Sequence, residues 1–463
     1  MKRINLDIED VFNIPDLVIY EPDNFKKIYH VTIDSREIKK NTLFIAIKGS
    51  RFDGHDFVKD AVRNGAVAVI INRKYLDRYD DITVPLIAVK DTKLALGNIA
   101  MIWRRKLNTK VIGITGSTGK TSVKDMVAEL LKEKYRVNKT IANNNNDIGV
   151  PLTILSTNES HQVVVAELGT NHFGEIPYTA KILSPDYSLI TNIGSSHLEF
   201  LKTKNGVWKE KSFIFDETIR HKGKVFLNYD DPIIKGKHSK NSKKFTFGFS
   251  GKVDVRGRIQ SYTDDGKPKV EIKYKKSNHT FTSPLYGEQS AKNFLAASAM
   301  ALGLGLNFSQ LENAAQKLKA PGGRLDVQIY KNFILIDDTY NANPDSAKAA
   351  IELVGKIKIF SRKILFLGDM LELGEKSIKL HQSLKNVIVK NRVDEVYSIG
   401  SKMKYLHKKI CGEKIIAKHF SKRNLLLSFI KKLNLEDSVI LVKGSRGTRM
   451  EEFLSEIKTK SLH

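Results

Sequence analysis

Lys-Val-Ile-Gly-Ile-Thr-Gly-Ser-Thr-Gly-Lys-Thr, residues 110–121, is an apolar run that leads directly into a glycine-rich turn. The pattern predicts a strand followed by a phosphate-binding loop, because glycines at 116 and 119 let backbone N–H groups point at an anion. Lys120 adds a positive charge, and Thr121 adds a hydroxyl suited to Mg²⁺. Apolar residues at helical spacing in 122–132 predict a helix whose positive end lies beneath the phosphates. ATP binding is therefore the working hypothesis.

The loop departs from the usual Gly-x-x-x-x-Gly-Lys-[Ser/Thr] pattern, because Ile114 stands where the first glycine is expected. What remains is Thr-Gly-x-x-Gly-Lys-Thr at 115–121. The alternative interpretation is a glycine turn between a strand and a helix with an incidental lysine. The strand-to-helix context favours phosphate binding.

Length and composition indicate a large globular protein. A chain of 463 residues is expected to fold into about three domains. Hydrophobic residues make up 41% of the chain, and no run approaches the roughly 18 apolar residues of a membrane span. Met1 to Asp16 carries early acidic residues and no long apolar core, so no signal peptide is expected. The single Cys411 excludes an intramolecular disulfide and agrees with a cytoplasmic location.

The chain is strongly basic, with 77 Lys and Arg against 51 Asp and Glu, a formal charge of +26. An excess of this size is found in proteins that bind nucleic acids. Here the basic residues are scattered, with local excess in 235–276 and 402–432 but without interleaved aromatic residues or a known reader motif. A basic surface that serves solubility and anionic small substrates is favoured over a nucleic-acid partner.

The order of predicted elements gives an α/β protein of three domains. The first domain is compact, the second is built on a parallel sheet with buried strands, and the third is Rossmann-like and doubly wound. Short β segments between Phe245 and Tyr274 predict an antiparallel addition to the second domain. A hinge is predicted at Pro321-Gly322-Gly323, and ligands are expected at the carboxyl ends of the strands. The predicted domain ranges are 1–91, 92–320 and 321–463.

Two candidate metal ligands follow strands of the predicted central sheet. Glu167 comes at the end of the strand that begins at Val163, and His197 follows the strand that ends near Asn192. Parallel strands end at one edge of a sheet, so both side chains are expected near Thr121. Oxygen ligands suit Mg²⁺, which keeps several waters and bridges phosphates. Glu167 is the better candidate, and His197 stays open between a ligand and a structural histidine.

Other polar residues are ambiguous when they are read alone. Lys209 and Lys211, ahead of the apolar run 213–215, are interpreted as a solvated helix face. The asparagine run at 143–146 offers amide groups to a ligand, but a turn-rich loop ahead of a Gly/Pro turn at 149–151 explains it equally well. No Gly-x-Ser-x-Gly sequence is present, so hydrolysis through an activated serine lacks support.

Several longer motifs occur in order along the chain: Asn-Asn-Asp-Ile-Gly-Val-Pro-Leu-Thr at 145–153, Glu-Leu-Gly-Thr-Asn-His at 167–172, Asp-Asp-Thr-Tyr-Asn-Ala-Asn-Pro at 337–344, Gly-Asp-Met-Leu-Glu-Leu-Gly-Glu at 368–375 and Lys-Gly-Ser-Arg at 443–446. Together with the loop at 115–121, Glu167, His197, Lys211, Asn293 and Arg324, they resemble the Mur ligase family of bacterial cell-wall synthesis. The longer motifs are similar to those of the family branch that adds D-Ala-D-Ala, and the resemblance runs through all three predicted domains.

The resemblance implies an ATP-dependent amide ligase of peptidoglycan precursor synthesis. Its substrates would be UDP-N-acetylmuramoyl-tripeptide, bound by the first domain, and D-Ala-D-Ala. ATP would phosphorylate the tripeptide carboxylate, and the D-Ala-D-Ala amine would attack the acyl phosphate. The third domain is expected to close over the second, and the protein is expected to be a monomer. The alternatives are another Mur ligase, a folylpolyglutamate synthase-like ligase, or a nucleic-acid-associated NTPase.

The resemblance also implies roles for individual residues. Lys211 would be carbamylated by CO₂, and it is chosen over Lys209 because Lys-x-x-Ile-Phe is the matching frame. The implied catalytic residues are Lys120, Glu167, His197 and Lys211, and Mg²⁺ would be held by Thr121, Glu167, His197 and Lys211. The implied nucleotide contacts are Thr115, Gly116, Ser117, Thr118, Gly119, Lys120, Thr121, Asn293, Arg324 and Asp338. The implied substrate contacts are Asn145, Asn146, Asn341, Asn343, Lys443 and Arg446, with Ser35, Arg36, Gly49, Asp53 and His55 from two first-domain loops that, read alone, could be ordinary turns.

Overall fold

The computed structural model describes residues 4–237, 243–320 and 322–460, and these ranges contain three β-sheets that succeed one another along the chain. Helices pack on the sheets, so the predicted three-part α/β fold is confirmed. We call the parts the N-terminal, central and C-terminal domains. Pro321 of the predicted hinge lies outside the described residues, as do the two chain ends of the predicted ranges. Among the described helices, none is long and apolar enough to cross a membrane.

The N-terminal sheet is built around strand Ala66–Asn72, whose run of Ala, Val and Ile is buried along most of its length. Such continuous burial is typical of a parallel strand covered on both faces. Only the edge strand Val18–Tyr20 is antiparallel to its neighbour. In spatial order the strands are Val18–Tyr20, Leu86–Val89, Ala66–Asn72, Thr42–Ile45 and His30–Thr32, accompanied by helices Ile8–Phe12 and Val58–Arg63 and by 3₁₀ turns Pro22–Asn24, Ser35–Glu37, Gly54–Phe57 and Arg73–Arg78.

The central sheet places three strand ends side by side. Lys110–Thr115 lies between Val163–Glu167 and Tyr187–Ile190, with Ile114 opposite Glu167 and Thr115 opposite Ile190. The carboxyl ends of these parallel strands therefore form one edge. The sheet order is Ser277–Thr282, Pro268–Tyr274, Val255–Tyr262, Lys244–Gly248, Lys224–Asn228, Tyr187–Ile190, Lys110–Thr115, Val163–Glu167 and Val137–Lys139.

The antiparallel addition begins later than predicted. Lys244–Gly248 pairs in parallel with Lys224–Asn228, and it is buried from Phe245 onward, which suits a strand inside a parallel sheet. Only the three strands between Val255 and Thr282 form an antiparallel meander. The helices of this domain are Thr92–Lys106, Lys120–Leu131, Gly149–Leu155, Glu175–Leu183, Leu198–Leu201, Lys204–Lys211, Phe213–Arg220, Pro232–Lys237, Gly287–Gly303 and Phe308–Ala315.

Gly149 begins a helix, so the turn predicted at 149–151 is wrong. The Asn146 side-chain oxygen accepts hydrogen bonds from the N–H groups of Ile148 and Gly149, and it thereby satisfies amides at the helix start. Pro151 lies in the first turn, where a missing N–H costs nothing. The asparagine run itself is a loop, as predicted.

The C-terminal sheet is parallel except for its first strand, Asp326–Ile329, which pairs antiparallel with Phe333–Asp338. The sequence did not reveal that short strand, because it is only half-buried. In spatial order the strands are Asp326–Ile329, Phe333–Asp338, Ser438–Lys443, Arg362–Gly368, Glu395–Ile399 and Ile416–Phe420, with helices Pro344–Lys356, Ser377–Gln382, Leu384–Lys390, Met403–Ile410, Arg423–Lys432 and Glu452–Thr459 and 3₁₀ turns Gly374–Lys376 and Arg446–Thr448.

One apolar core joins the N-terminal domain to a face of the central sheet. Helix Thr92–Lys106 contributes Ile99 and Trp103 to it, and Ile70 and Val164 enter it from the two sheets. The C-terminal sheet instead has a separate core on each of its faces. The N-terminal and central domains thus share an interior, whereas the C-terminal domain is built on its own.

Candidate active site

The glycine-rich loop forms an anion-binding cradle at the edge of the central sheet. Gly119 has φ +79° and lies at the start of helix Lys120–Leu131, which no side chain caps, so the first helical N–H groups are left for an anion. At Gly116 the backbone approaches its neighbour so closely that a Cβ atom would lie 1.9 Å from Thr191 Oγ1. The Lys120 ammonium donates to the Gly116 carbonyl oxygen at 2.9 Å. The Ser117 and Thr118 N–H groups donate to Asn192, so the loop is fixed to the strand end beside it, and the N–H groups at the start of the helix are the ones left for an anion.

Glu167 is held beside this loop by the asparagine run. The Asn145 side-chain amide donates to Glu167 Oε1 at 2.8 Å, and Thr140 Oγ1 accepts from the Glu167 N–H at 3.1 Å. Gly169 leaves room for this amide, because a Cβ at 169 would lie 2.5 Å from Asn145 Oδ1 and displace the Asn145 side chain. Asn145, predicted to contact substrate, orients Glu167 and also lines the large cavity, and the Glu167 Oε2 atom is buried without a partner among the described residues.

Lys211 is completely buried, so the interpretation of both lysines as a solvated face is wrong for Lys211 and correct for Lys209. The two residues are two positions apart on a helix, which puts them on nearly opposite sides. Val207 and Ile214, at i−4 and i+3 from Lys211, mark its buried side. This helical phase was the signal that could have separated the two lysines.

The Lys211 amine lies in an environment that disfavours its charge. Burial, and then the positive charge of Lys120, hold the pKa of Lys211 well below its ordinary value. Carboxylates of Glu210, Glu167 and Glu175 act in the opposite direction but are outweighed. A larger share of the amine is therefore uncharged near neutral pH, and Lys211 Nζ has no hydrogen-bond partner among the described residues.

His197 follows the central strand Tyr187–Ile190 and contacts Glu372 of the C-terminal domain. Its Nδ1 atom is 2.8 Å from Glu372 Oε2, although the carboxylate is off the line of an ideal hydrogen bond. Burial lowers the pKa of His197, the Glu372 carboxylate acts in the opposite direction, and the positive charge of Lys120 adds to the lowering, so the net shift is downward. The ring is thus favoured in its neutral form, which is the form that binds metals.

The residues present fit a magnesium site that is completed by phosphate oxygens. Thr121 Oγ1, Glu167 Oε2 and Lys211 Nζ are buried without hydrogen-bond partners in the described ranges, and such orphaned groups call for an explanation. Among all the residues that the structure describes, there is no cluster of three or more His, Cys, Asp or Glu side chains that could hold a metal without other ligands. Mg²⁺ prefers few protein ligands together with waters and substrate phosphates, which agrees with this arrangement.

A cavity of about 880 Å³ opens in front of the loop and is walled by both the central and the C-terminal domains. The wall opposite the loop includes Arg324 and Tyr340. The Arg324 guanidinium lies over the Tyr340 ring, 4.0 Å from its centroid. A second cavity of about 260 Å³ shares Thr118 and Asn293 with the first. The predicted residues that line the large cavity are Ser117, Thr118, Gly119, Lys120, Asn145, Asn146, Glu167, His197, Asn293, Arg324, Asp338, Asn341, Asn343, Lys443 and Arg446, while Thr115, Gly116, Thr121 and Lys211 are buried.

Two predicted substrate residues of the C-terminal domain are engaged within the protein. The buried Lys443 ammonium donates to Asp338 Oδ2 at 2.5 Å and to the Asn341 carbonyl at 3.0 Å. The Asn343 side chain caps helix Pro344–Lys356 through the Ser346 N–H. These groups shape the cavity wall in this conformation.

The N-terminal residues predicted to bind substrate lie away from this cavity, whose lining begins at Asp91. His55 is buried and uses both ring nitrogens internally: Nδ1 lies 2.6 Å from Asp53 Oδ1, and Nε2 accepts from the Asn72 N–H. Arg36 is exposed and paired with Asp34 at 2.6 Å. His55 and Asp53 therefore brace the loop that contains Gly49, and Ser35 and Arg36 form a separate turn.

Sequence reasoning missed a buried lysine in the phosphate-loop helix. Lys124 is 1% exposed, and its ammonium donates to the Thr140 carbonyl at 2.8 Å and lies 2.9 Å from Asp125 Oδ1. It thereby ties the helix to the strand end from which the asparagine run departs. Its spacing from Val127 and Leu131, at i+3 and i+7, placed it on the buried stripe and could have revealed it.

Three α/β domains with a phosphate-binding loop facing a cavity between two of them define a class of protein that comparison with known proteins identifies. Residues 27–104 match the Mur ligase family catalytic domain, residues 114–301 the Mur ligase middle domain, and residues 323–446 the Mur ligase glutamate ligase domain. The chain belongs to the Mur ligase family.

Within the family, the chain is similar to enzymes of one kind along nearly its whole length. It is 33% identical over 454 residues to UDP-N-acetylmuramoyl-tripeptide–D-alanyl-D-alanine ligase of Bacillus subtilis (strain 168), covering 96% of this chain and 98% of that protein. The enzyme of the same name from Haemophilus influenzae is 34% identical over 455 residues, 95% of each chain.

Solved structures agree with these relatives. A crystal structure of MurF from Acinetobacter baumannii superposes with a TM-score of 0.87 at 29% identity, covering 99% of this chain and 100% of that one. The crystal structure of MurF ligase from Thermotoga maritima in complex with ADP superposes with a TM-score of 0.82 at 28% identity, covering 94% of this chain and 98% of that one.

Proposed function

We propose that this chain is an ATP-dependent, ADP-forming amide ligase that joins D-Ala-D-Ala to UDP-N-acetylmuramoyl-tripeptide in peptidoglycan precursor synthesis. The observation that carries the proposal is the position of the uncapped helix end. It lies beside Glu167 and Lys211 and faces a cavity whose other wall belongs to a second sheet. The similarity to D-Ala-D-Ala-adding ligases along nearly the full chain supports the choice of substrates.

The reaction needs an activated carboxyl group, because an amine does not displace oxide from a carboxylate. A carboxylate oxygen of the tripeptide attacks the γ-phosphorus of ATP, and ADP leaves. The D-Ala-D-Ala amine then attacks the acyl carbon, phosphate leaves, and the nitrogen gives up one proton. Helix N–H groups and the Lys120 ammonium offset the negative charge that gathers when a carboxylate approaches a triphosphate.

Thr121, Glu167, His197 and Lys211 are the residues that would hold Mg²⁺, and the bound ions would offset phosphate charge. We propose that Lys211 acts as a carbamate. Its uncharged amine attacks the carbon of CO₂, a new N–C bond forms as one C=O electron pair moves to oxygen, and the nitrogen releases a proton, so that a buried amine becomes an anionic oxygen ligand. The low pKa of Lys211 supports this step, since only the neutral amine is nucleophilic.

Substrate contacts are proposed from the lining of the cavity. Asn293 and the smaller cavity beside Thr118 would receive the adenine, and Arg324 and Asp338 would reach the nucleotide from the opposite wall. Asn146, Asn341 and Arg446 line the same cavity and would face the tripeptide or the dipeptide. The N-terminal loops containing Ser35 and Gly49 would bind the UDP group. The activity is assigned to a monomer in the cytoplasm, with no nucleic-acid partner.

The decisive experiment identifies the product by mass spectrometry. The purified chain is incubated with ATP, Mg²⁺, UDP-N-acetylmuramoyl-tripeptide and D-Ala-D-Ala, and phosphate release is followed in parallel. We expect one pentapeptide product and phosphate release that requires both substrates. Phosphate release stimulated by DNA or RNA alone, or ligation of a different amino acid in place of D-Ala-D-Ala, would refute the proposal.

A further inference from the structure

We propose that Glu372 and Asp345 of the C-terminal domain hold the His197 loop, residues 194–199, in the conformation that binds metal, so that domain closure and metal binding support each other. The inference rests on the proposed role of His197 as a metal ligand. It assigns a positioning function to two carboxylates that lie in a different domain from the ligand they act on.

Among the described residues, three polar contacts join the C-terminal domain to the His197 loop. Asp345, in the first turn of helix Pro344–Lys356, accepts a hydrogen bond from the Ser195 N–H at 3.0 Å. The Glu372 carboxylate lies 2.8 Å from His197 Nδ1, and the Glu372 carbonyl accepts from the Glu199 N–H at 3.3 Å. Two of the contacts fix the backbone on either side of His197, and the third contacts its ring.

The surfaces that meet are unusual in their backbone conformation. His197 has φ +52° and Glu372 has φ +62°, left-handed values that non-glycine residues adopt at a cost in free energy. The chains also approach closely, since a Cβ atom at Gly194 would lie 2.5 Å from Asp345 Oδ2. Residues in such conformations persist only where the surrounding structure holds them, and here the two residues lie against each other.

The position of Glu372 decides which nitrogen of His197 is free. A carboxylate beside Nδ1 favours the tautomer with its proton on Nδ1, and it leaves the Nε2 lone pair for a metal. Such carboxylates also raise the basicity of the ligating imidazole. Because this carboxylate belongs to the C-terminal domain, the ligand is fully prepared only when that domain lies against the central one.

Domain closure and metal binding are linked thermodynamically, so each affects the other by the same factor. If closure raises the affinity of the site for a divalent cation, the bound cation must stabilise the closed arrangement by the same factor. Metal would then be held most tightly in the closed state, in which water is kept from the reactive acyl phosphate. Asp345 acts on the backbone of the His197 loop and Glu372 on both the backbone and the ring.

The test measures Mn²⁺ binding to the full-length protein, saturated with β,γ-methylene-ATP, by the electron paramagnetic resonance signal of free Mn²⁺. The affinity for Mn²⁺ is compared in wild type, Glu372→Ala, Glu372→Gln and Asp345→Asn. Glu375→Gln is the matched control, because Glu375 is an exposed carboxylate three residues along the same segment. Circular dichroism confirms that each variant is folded.

We expect Glu372→Ala to weaken Mn²⁺ binding about 10- to 100-fold, as loss of a carboxylate behind a ligating histidine does. Glu372→Gln and Asp345→Asn should have smaller effects, and Glu375→Gln none. In a His197→Ala background, Glu372→Ala should change the affinity less than about twofold, because the two residues act as one unit.

The inference is overturned if Glu372→Ala and Glu372→Gln both bind Mn²⁺ within about twofold of wild type, or if Glu372→Ala has the same effect with and without His197. The measurement uses neither the tripeptide nor D-Ala-D-Ala. Failure to form the pentapeptide product with intact Mn²⁺ coupling would therefore refute the proposed ligase activity alone, and normal ligation without coupling would refute this inference alone.

Discussion

Replacement of Gly169 by alanine should impair the reaction without unfolding the protein. The new Cβ atom would lie 2.5 Å from Oδ1, 2.7 Å from Cγ and 2.9 Å from Nδ2 of Asn145. These atoms end a side chain that can rotate away, so the fold can accommodate the methyl group. The rotation would remove the amide from Glu167 Oε1, where it now donates at 2.8 Å.

The size of the effect follows from the bond that is lost. A hydrogen bond to a charged group contributes roughly 1.5–3 kcal/mol, which corresponds to about a 10- to 150-fold fall in kcat/KM if Glu167 is misplaced in the transition state. Phosphate release at varied Mg²⁺ and ATP measures this fall. Thermal unfolding should change little, and Gly236→Ala is the control, because a methyl group at that helical position meets no atom within 4 Å.

Replacement of Asn145 removes the same contact with Glu167 from its other side. Asn145→Ala should reduce kcat/KM to a similar extent, and the double variant should be no worse than either single variant, because both changes break the same contact. Wild-type kcat/KM in Gly169→Ala, or additive losses in the double variant, would refute the assignment of Asn145 as the residue that orients Glu167.

Three further outcomes are expected. Lys211→Ala should abolish ligation while Lys209→Ala does not, and removal of bicarbonate should lower wild-type activity; full activity of Lys211→Ala would contradict the carbamate. Lys124→Met should lower the unfolding free energy by about 1–3 kcal/mol, since it leaves the Thr140 carbonyl without its buried donor, as denaturant titration would measure. Burial raises the pKa of Tyr79 from 10.0 to about 12, so its neutral form stabilises the fold fully below pH 10, and roughly 3 kcal/mol is lost as the pH rises from 10 to 12. Tyr79→Phe should remove this share of the alkaline loss in unfolding titrations followed by circular dichroism, while Tyr178 and Tyr262, whose pKa values burial also raises to about 12, keep theirs.

The sequence predicted the parts of the fold that depend only on short segments of the chain, namely buried strands and tight turns. The apolar runs of the parallel strands and the glycine-rich loop of residues 115–121 were found because burial and a required turn leave a direct mark on composition. The parallel pairing of Lys244–Gly248 was missed because its partner lies about twenty residues earlier and its short length fits either kind of sheet.

The site was only partly predictable for a similar reason. Strand order brings Glu167 beside the phosphate loop, and this could be anticipated from a strand end. The pairing of His197 with Glu372 could not, because it joins positions 175 residues apart in different domains. Helical phase placed Lys211 on the buried side of its helix, but a lysine is ordinarily taken as solvated, so this signal was not used and the structure showed the burial.

The apolar core common to the N-terminal and central domains has a consequence for how the protein melts. The core around Trp103 is formed by side chains of both domains. Neither domain can lose its packing without exposing apolar side chains of the other, so the two domains should unfold in one cooperative step. The C-terminal domain encloses its own two cores and can unfold separately. Calorimetry should therefore resolve two unfolding transitions, although the described residues form three sheets. A compound that binds in the cavity between the central and C-terminal domains would contact both domains. It should stabilise their association and bring the two unfolding temperatures closer together.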